Sequence, residues 1–309
     1  MSLLAASAII VLACAATCTL LSAVRRRQSG DSLLHDTTRG AAVYGVVGTS
    51  FAVLLAFVVF VAFQSYDTAK VGAQRESNAV VEDYRAAEFF DARSGQARQA
   101  LLTCYGRSVI HDDWPAMRDG ERSSVTSDWS FRLQDNLRKL RVTTPKETAA
   151  FANVLDIRDE RIDARRQRLA EGDPIITTPV WFFLIIGALV NIFFVLLFID
   201  RRGESLTTQN LMMASVTVVV TSGLLLVWFL DHPYENHTGG IQPVEMERAL
   251  MTMEEEHAVR PPCDADGRPL PGAPRLALVL HPLDRRVRVA RGFGRVQLDP
   301  RRQLDVQLG

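Results

Sequence analysis

The chain has 309 residues, 48% of them hydrophobic, and its 35 basic and 35 acidic residues give a formal net charge of zero. That length would suit one large or two ordinary soluble domains, and the balanced charge gives no reason to predict a nucleic acid as a partner. The apolar residues are unevenly spread, however, and their distribution excludes an ordinary soluble protein.

Four segments of the chain contain no Asp, Glu, Lys or Arg. They are Leu3–Val24, Ala41–Phe63, Pro179–Ile199 and Leu211–Leu230. Each has about the twenty residues that a helix needs to cross a hydrocarbon core of about 30 Å. A helix in a soluble core is rarely apolar all round over such a length. The pattern therefore predicts a multi-pass protein with four transmembrane helices in a lipid bilayer.

The first apolar segment is predicted to remain in the protein as a span. A signal peptide carries positive charge before its apolar core, whereas Arg25, Arg26 and Arg27 come after this one. Arginine also greatly outnumbers lysine along the chain, which is typical of a GC-rich bacterial genome. We therefore expect the protein in the inner membrane of a bacterium.

The long polar region between the second and third spans, residues 64–178, is predicted to be helical and to lie outside the membrane. The second span runs into this region without a proline, and Gly72 is the one residue that weakens its helical pattern. We expect this continuous helix to end near residues 93–95.

Three further helices are predicted in the same region, which makes the fold class all-α. Apolar residues at helical spacing predict helices over Gln96–Trp114 and residues 129–140. The third is expected to begin after Thr144 as its N-cap, with a proline and a glutamate in its first turn, and to end at Gly172. The apolar stripes are interpreted as the packing faces of a helical bundle.

Composition divides the chain into five stretches. Residues 1–63 hold the first two spans with a short loop, and residues 179–230 hold the last two. The helical extramembrane region 64–178 lies between them. A juxtamembrane segment, 231–259, follows the fourth span. Residues 260–309 are rich in proline, glycine and arginine and are predicted to form a disordered basic tail.

The four cysteines predict little. Cys14 and Cys18 lie in the first span, while Cys104 and Cys263 are far apart in the polar regions. Such scattered positions indicate neither a disulfide framework nor a metal site. They also leave the redox compartment of the polar regions open.

The side of the membrane that the polar region faces is also left open. Arginines are dense in the two short loops, which favours those loops as cytoplasmic. The loop arginines are Arg25, Arg26, Arg27, Arg39, Arg201 and Arg202. The opposite side carries a similar number of basic residues close to the spans, so the raw count does not decide.

No pattern in the chain predicts catalysis, a cofactor or a resident metal. Phosphate-binding loops, nucleophile elbows, zinc-protease motifs and dinucleotide fingerprints are all missing from the sequence. The spans contain no Asp, Glu, Lys, Arg or His, which argues against a proton-coupled transporter. A passive pore remains open, because apolar constrictions can gate by dewetting.

Several stretches of the sequence, taken in order, resemble one membrane-protein family. The stretches are "AFQSYDTAK", "QRESNAVVEDYRAA", "CYGRSVIHDDWPAM", "RRQRL", "PVWFFLIIGALV" and "FLDHPY". Their order and spacing resemble the bacterial bestrophin-like membrane family over roughly residues 41–253. The motif positions, whose roles are not known, are Tyr66, Asp67, Glu76, Trp114, Pro115, Asp231, His232 and Pro233.

The family takes its name from a distant similarity to bestrophins, which are pentameric anion channels. The resemblance implies a homo-oligomer that passes anions, with a second span that lines the pore and continues into a helical vestibule in the cytoplasm. Phe51, Leu55, Val59 and Phe63 recur every fourth residue and are the predicted pore lining. The acidic calcium cluster of animal bestrophins has no counterpart here, so calcium gating is not expected.

Two other functions stay open at this stage. The first is a membrane scaffold or sensor whose bundle binds a protein partner, because the polar region is large and has no catalytic pattern. The second is a metal-dependent membrane enzyme that uses His111, Asp113 and His232. Such a site would need further ligands from elsewhere in the chain.

Overall fold

The computed structural model describes residues 2–27, 37–170, 172, 174–199, 205–256 and 259–271. Within these ranges the fold is all-α, as predicted, and β pairing is limited to an isolated bridge between Cys263 and Pro269. The loop residues Arg201 and Arg202 lie outside the described residues. So does the predicted disordered tail from residue 272 onward.

The described chain forms a succession of α-helices with two short irregular turns. These are α1 Leu3–Arg27, α2 Thr37–Ala86, a 3₁₀ turn Ala87–Phe89, α3 Ala92–Ser108, a π turn Val109–Asp113, α4 Trp114–Arg118, α5 Ser124–Lys139, α6 Pro145–Ala170, α7 Thr178–Leu197, α8 Leu206–Asp231 and α9 Val244–Glu256. Helices α1, α2, α7 and α8 are long and apolar enough to cross a membrane. The prediction of four spans is confirmed.

Helix α2 belongs both to the membrane layer and to the extramembrane bundle. Its 50 residues give a length of about 75 Å at about 1.5 Å per residue, against a hydrocarbon core of about 30 Å. The helix therefore projects well beyond the membrane, as the unbroken sequence predicts. It ends at Ala86, earlier than expected, because Asp91 caps the next helix by accepting hydrogen bonds from the backbone N–H groups of Arg93 and Ser94 at 3.1 and 3.0 Å.

In the membrane layer, α8 packs against α1, α2 and α7. Two glycines allow close approach to α2. A Cβ atom at Gly187 of α7 would lie 2.5 Å from the ring of Phe51, and one at Gly223 of α8 would lie 2.6 Å from Leu55. Small residues at such contacts let membrane helices pack closely, because lipid supplies no hydrophobic drive between them.

Outside the membrane, α2 packs along α6. The two helices approach closely at Gly72, where a Cβ atom would lie 3.0 Å from the backbone nitrogen of Arg168. The glycine that weakens the helical pattern in the sequence is therefore the residue that admits the partner helix. Helix α6 begins where predicted, since Glu147 N–H donates to Thr144 Oγ1 and Thr144 N–H donates back to the Glu147 carboxylate.

Two features of the bundle differ from the sequence prediction. The helix predicted over Gln96–Trp114 begins four residues earlier, at Ala92, and is interrupted by the π turn Val109–Asp113. The juxtamembrane segment also contains an unpredicted helix, α9, which buries Met246, Ala249 and Met253 against the bundle.

Residues 259–271, which we call the strap, are also folded, although the sequence predicts disorder from residue 260. Cys263 forms a disulfide with Cys104 of α3, and the indole N–H of Trp129 donates to the carbonyl of Gly267 at 2.6 Å. The scattered cysteines indicate no disulfide framework in the sequence, but the structure pairs these two. Their separation of 159 residues hides the contact, since only the folded bundle brings them together.

Candidate functional site

The predicted pore lining does not form one face of α2. Phe51 is only 8% exposed and lies in the apolar core of the membrane layer with residues of α7 and α8, and Leu55 and Val59 are partly buried against that core. Phe63, in contrast, is 53% exposed. The reason is geometric, because each step of four residues overshoots a helical turn by about 40°. The series therefore rotates from the core face to the outer face.

A different set of residues forms the outer face of the span. Val46, Val53, Phe57 and Phe60 are separated by steps of seven, four and three residues, and all are well exposed, Phe57 by 64% and Phe60 by 56%. The face lies opposite Ala62, which is completely buried. We call Val53, Phe57 and Phe60 the apolar face of α2. Alternating steps of three and four identify such a face, but apolar neighbours mask them in the sequence.

Beyond the membrane the same side of α2 becomes polar. Gln64 and Asp67 continue the spacing and are exposed. Asp67 has no ion-pair partner among the residues that the structure describes. The neighbouring motif residue, Tyr66, is half-buried, and its hydroxyl donates to the carbonyl of Gly239 at 2.8 Å.

The projecting part of α2 is held by a buried ionic cluster. The Arg168 guanidinium donates to the Glu76 carboxylate at 2.5 and 3.1 Å, and to Asp113 at 2.8 Å. The Tyr105 hydroxyl also donates to Glu76, at 2.5 Å. All four side chains are buried. The cluster thereby joins α2, α3, α6 and the π turn, which turns Asp113 inward.

Charge within the cluster favours the ionised forms of Asp113 and Arg168. Burial would raise the pKa of Asp113, but the nearby guanidinium groups of Arg168 and Arg165 outweigh it and lower the pKa below its usual value. Burial would lower the pKa of Arg168, but Glu76 and Asp113 raise it. The pKa of Tyr105 is raised by burial and by the charge of Glu76. With these shifts Asp113 and Arg168 stay charged at neutral pH, so their ion pair acts as a fixed structural joint.

A second buried pair lies further along α2. Both nitrogens of one edge of the Arg98 guanidinium donate to the Asp83 carboxylate, at 2.6 and 2.8 Å. The side-chain amide of Gln99 donates to the carbonyl of Tyr84 at 3.2 Å. Removing one partner of a buried pair typically costs about 3–5 kcal/mol, so these contacts hold α2 strongly in place.

The motif "FLDHPY", at the end of α8, lies beside the start of α7. The carboxylate of Asp231 accepts hydrogen bonds from the backbone N–H of Ile176 at 2.8 Å and from the indole of Trp181 at 3.4 Å. The His232 ring stacks on Trp228, with the ring centroids 4.8 Å apart, and Pro233 follows the helix end. These residues join the last two spans, and nothing in their contacts indicates catalysis.

The remaining motif residues and the proposed metal ligands lie apart. Trp114 donates its indole N–H to the carbonyl of Ile241 at 3.1 Å and lies beneath the Arg168 guanidinium, while Pro115 is the second residue of α4. His111 is exposed near Asp266, and Asp113 is engaged by arginines. Within the described ranges, no group of three or more His, Cys, Asp or Glu side chains is placed to hold a metal. His111, Asp113 and His232 therefore do not form a site.

The sequence motifs locate part of this arrangement. The family resemblance identifies Glu76 and Trp114 as motif positions, and both contact Arg168. The resemblance gave no role to Arg168, Tyr105 or Asp113, although the quoted motifs contain all three. The one signal in the sequence is the recurrence of arginine at helical spacing along α6, at Arg158, Arg161, Arg165 and Arg168, which does not identify their partner.

Known proteins of similar fold and family match most of the chain. A bestrophin-like domain model matches residues 8–239. Two crystal structures of variants of a bacterial bestrophin homologue from Klebsiella pneumoniae superpose with TM-scores of 0.61 and 0.59. Their sequences are 12% and 11% identical to this chain. The matches span 79% and 80% of this chain and 98% of each crystallised chain. A crystal structure of a membrane protein variant superposes with a TM-score of 0.60 at 13% identity. The match spans 81% of this chain and 100% of the crystallised chain.

No curated protein is significantly similar to the chain. At such low identity the solved structures show the fold alone. The domain model, by contrast, covers well over half of the chain, from α1 to the turn that follows α8. The described chain is thus a membrane protein with four spanning helices, and it belongs to the bestrophin-like family.

Proposed function

We propose that the protein is an oligomeric ion channel of the bacterial inner membrane, in which α2 of each subunit lines a central pore. The observation that carries the proposal is the apolar face of α2, Val53, Phe57 and Phe60, which is exposed on a helix that also continues far beyond the membrane. Several copies arranged about an axis would bring these faces together as a constriction.

The continuation of the face supports a pore. A face that contacts lipid needs apolar residues only across the hydrocarbon core. On α2 the same side carries on through Gln64 and Asp67, and the buried ion pairs of Glu76 and Asp83 hold this extension rigidly. A ring of such helices would form an apolar neck leading into a polar vestibule. Apolar necks of this kind gate by excluding water.

The ions are proposed to be anions, since the family resembles the anion-conducting bestrophins. A second candidate is cation conduction, and one observation favours it. Asp67 is exposed two turns beyond Phe60, on the same side of α2, and rings of acidic side chains attract cations. Reversal potentials in asymmetric salt would separate the two, and Asp67→Asn should shift the preference toward anions if the residue faces the pore.

Purified protein in liposomes tests the channel. Phe57→Ala and Phe60→Ala widen the proposed neck and should raise the flux of chloride or sodium ions several-fold. The matched control is Phe193→Ala on α7, because Phe193 is 57% exposed but lies on a different helix. Equal flux through all variants, or liposomes that stay sealed with the unmodified protein, would contradict the proposal.

The scaffold or sensor remains the rival, and subunit number separates it from the channel. A pore lined by one helix per subunit needs several subunits around its axis, so the purified protein should run as a closed oligomer in mild detergent. A monomer that conducts nothing but binds another protein in fixed stoichiometry would support the rival.

A further inference from the structure

We infer that the helical bundle lies in the oxidising periplasm, where a thiol oxidase joins Cys104 to Cys263, and that the short loops lie in the cytoplasm. Two independent observations carry this orientation: a buried disulfide in the bundle and the arginines at the loop ends of the spans. The inference does not depend on ion conduction, since it requires only a membrane between an oxidising and a reducing compartment.

The two cysteines are brought together by the fold. Cys104 lies in the middle of α3 and Cys263 in the strap, both are buried, and their Cα atoms are 5.8 Å apart. This separation lies within the range that a disulfide requires. Once the bundle has folded, the bond is shielded from reductants in solution.

The strap is fitted to its binding surface at several further points. Its turn contains Gly267, with a φ of +81°, where a Cβ atom would lie 2.4 Å from the backbone nitrogen of Ser108. The carbonyl of Gly267 accepts the hydrogen bond from Trp129, and the Arg107 guanidinium donates to the carbonyl of Asp264 at 3.2 Å. These contacts dock the strap on α3 and α5 and so place Cys263 beside Cys104.

The chemistry then identifies the compartment. Forming the bond removes two protons and two electrons from the two thiols, and the disulfide of an oxidase takes them up as two thiols of its own. Structural disulfides of this kind form and persist in the periplasm, whereas the cytoplasm keeps thiols reduced. The bundle is therefore expected to meet a periplasmic dithiol–disulfide oxidase before or during folding.

The arginines point the same way. Helix α1 ends with Arg25, Arg26 and Arg27, and Arg39 lies in the first turn of α2, so the loop between these spans is rich in positive charge. The bundle follows the opposite end of α2. The bundle side carries a similar number of basic residues near the spans, but the rule is counted over short loops, since long domains cross the membrane largely regardless of their charge. The arginine-dense short loops are therefore placed inside and the bundle outside. This orientation is opposite to the cytoplasmic vestibule that the family resemblance implies.

The first test counts free thiols in the full chain. Cells expressing the protein are quenched in acid, and the denatured chain is tagged with a polymer-linked maleimide. Two tags are expected, on Cys14 and Cys18, and four after reduction. The Cys104→Ser/Cys263→Ser variant should carry two tags in both cases, and a host lacking its periplasmic thiol oxidase should give four. Four tags on the unreduced protein from an unmodified host would overturn the inference.

The second test reads orientation directly and stays informative if the disulfide variants fail to fold. On a Cys14→Ala/Cys18→Ala background, Lys139→Cys marks the bundle, because the Lys139 side chain is 74% exposed. Thr207→Cys marks the exposed start of α8 at the short-loop side. A membrane-impermeant maleimide should label the first in intact spheroplasts and the second only after lysis. The reverse pattern, or labelling of both, would overturn the orientation while leaving the proposed channel intact.

Discussion

The membrane layer and the extramembrane bundle are packed by different interactions, although α2 runs through both. In the layer, α2 meets its neighbours through apolar contacts such as that of Phe51 with Gly187. In the bundle, it contributes Glu76 and Asp83, each bound by a buried arginine. Burying an ion costs several kcal/mol, which good pairing offsets. The comparison teaches that apolar packing holds the span, while ion pairs fix the register and direction of its extension.

The largest effect on the bundle is expected from removing Arg168, the central arginine of the buried ionic cluster. Arg168→Met leaves Glu76 and Asp113 buried without their main partner, and we expect the free energy of unfolding of the bundle to fall by about 3–5 kcal/mol. Denaturant unfolding in detergent, followed by the fluorescence of Trp114 and Trp129, measures the change.

The matched control is Arg166→Met, two residues away on α6. Arg166 is exposed, and its ion pair with Asp163 is exposed too, so its loss should cost less than about 1 kcal/mol. Equal effects of the two substitutions would show that the buried cluster does not hold α2.

Glycine substitutions test the close packing of the helices in the membrane layer. Gly187→Ala drives a methyl group into the ring of Phe51, and overpacking of this kind costs about 1–3 kcal/mol. Gly45→Ala on α2 meets nothing within 4 Å and should instead stabilise its helix by about 0.5–1 kcal/mol. The thermal midpoint in detergent should therefore fall for the first variant and rise for the second. Two shifts of the same sign would contradict the close contact of α7 with α2.

Acid should loosen the bundle through Asp113. Its pKa is lowered in the fold, so its stabilising effect is complete above the ordinary aspartate pKa of about 3.9 and is lost as pH falls through the lower folded value. The Asp113→Asn variant should be less stable than the unmodified protein at pH 7 but should lose less free energy of unfolding between pH 7 and pH 3. Other carboxylates contribute to the slope of the free energy of unfolding against pH in both proteins. The difference between the two slopes therefore isolates the contribution of Asp113. Identical slopes would contradict the ionised cluster.

The smallest effect is expected at an exposed ion pair between α2 and α6. Arg75 of α2 donates to Glu160 of α6 at 3.3 Å, and both side chains are nearly half exposed. Arg75→Gln should therefore lower the free energy of unfolding by less than about 1 kcal/mol, and added salt should reduce the loss further. A cost comparable to that of Arg168→Met would mean that exposure does not decide the strength of these pairs.

The sequence predicts those features that depend on neighbouring residues. The four spans follow from uninterrupted apolar runs, for which a bilayer is the one suitable surrounding. The start of α6 follows from Thr144 and Glu147, which satisfy each other's backbone groups within one turn. The length of α2 follows from the absence of a proline, although its end does not, because the cap supplied by Asp91 decides it.

Features that depend on distant partners could not be predicted in the same way. The disulfide joins residues 159 apart, and Glu76 finds Arg168 at a separation of 92, so neither spacing carries a local signal. The apolar face of α2 was missed for another reason. Every side of the span is apolar, and only contact with α7 and α8 distinguishes Phe51 from Phe60.

The most direct test of the proposed pore is cross-linking between subunits in native membranes. On a Cys14→Ala/Cys18→Ala background, Phe60→Cys should form an oxidant-induced disulfide between neighbouring copies of α2, and Phe193→Cys on α7 should not. Non-reducing gels would then show linked subunits for the first variant alone. Linked subunits for Phe193→Cys and none for Phe60→Cys would place α2 away from the axis and contradict the channel.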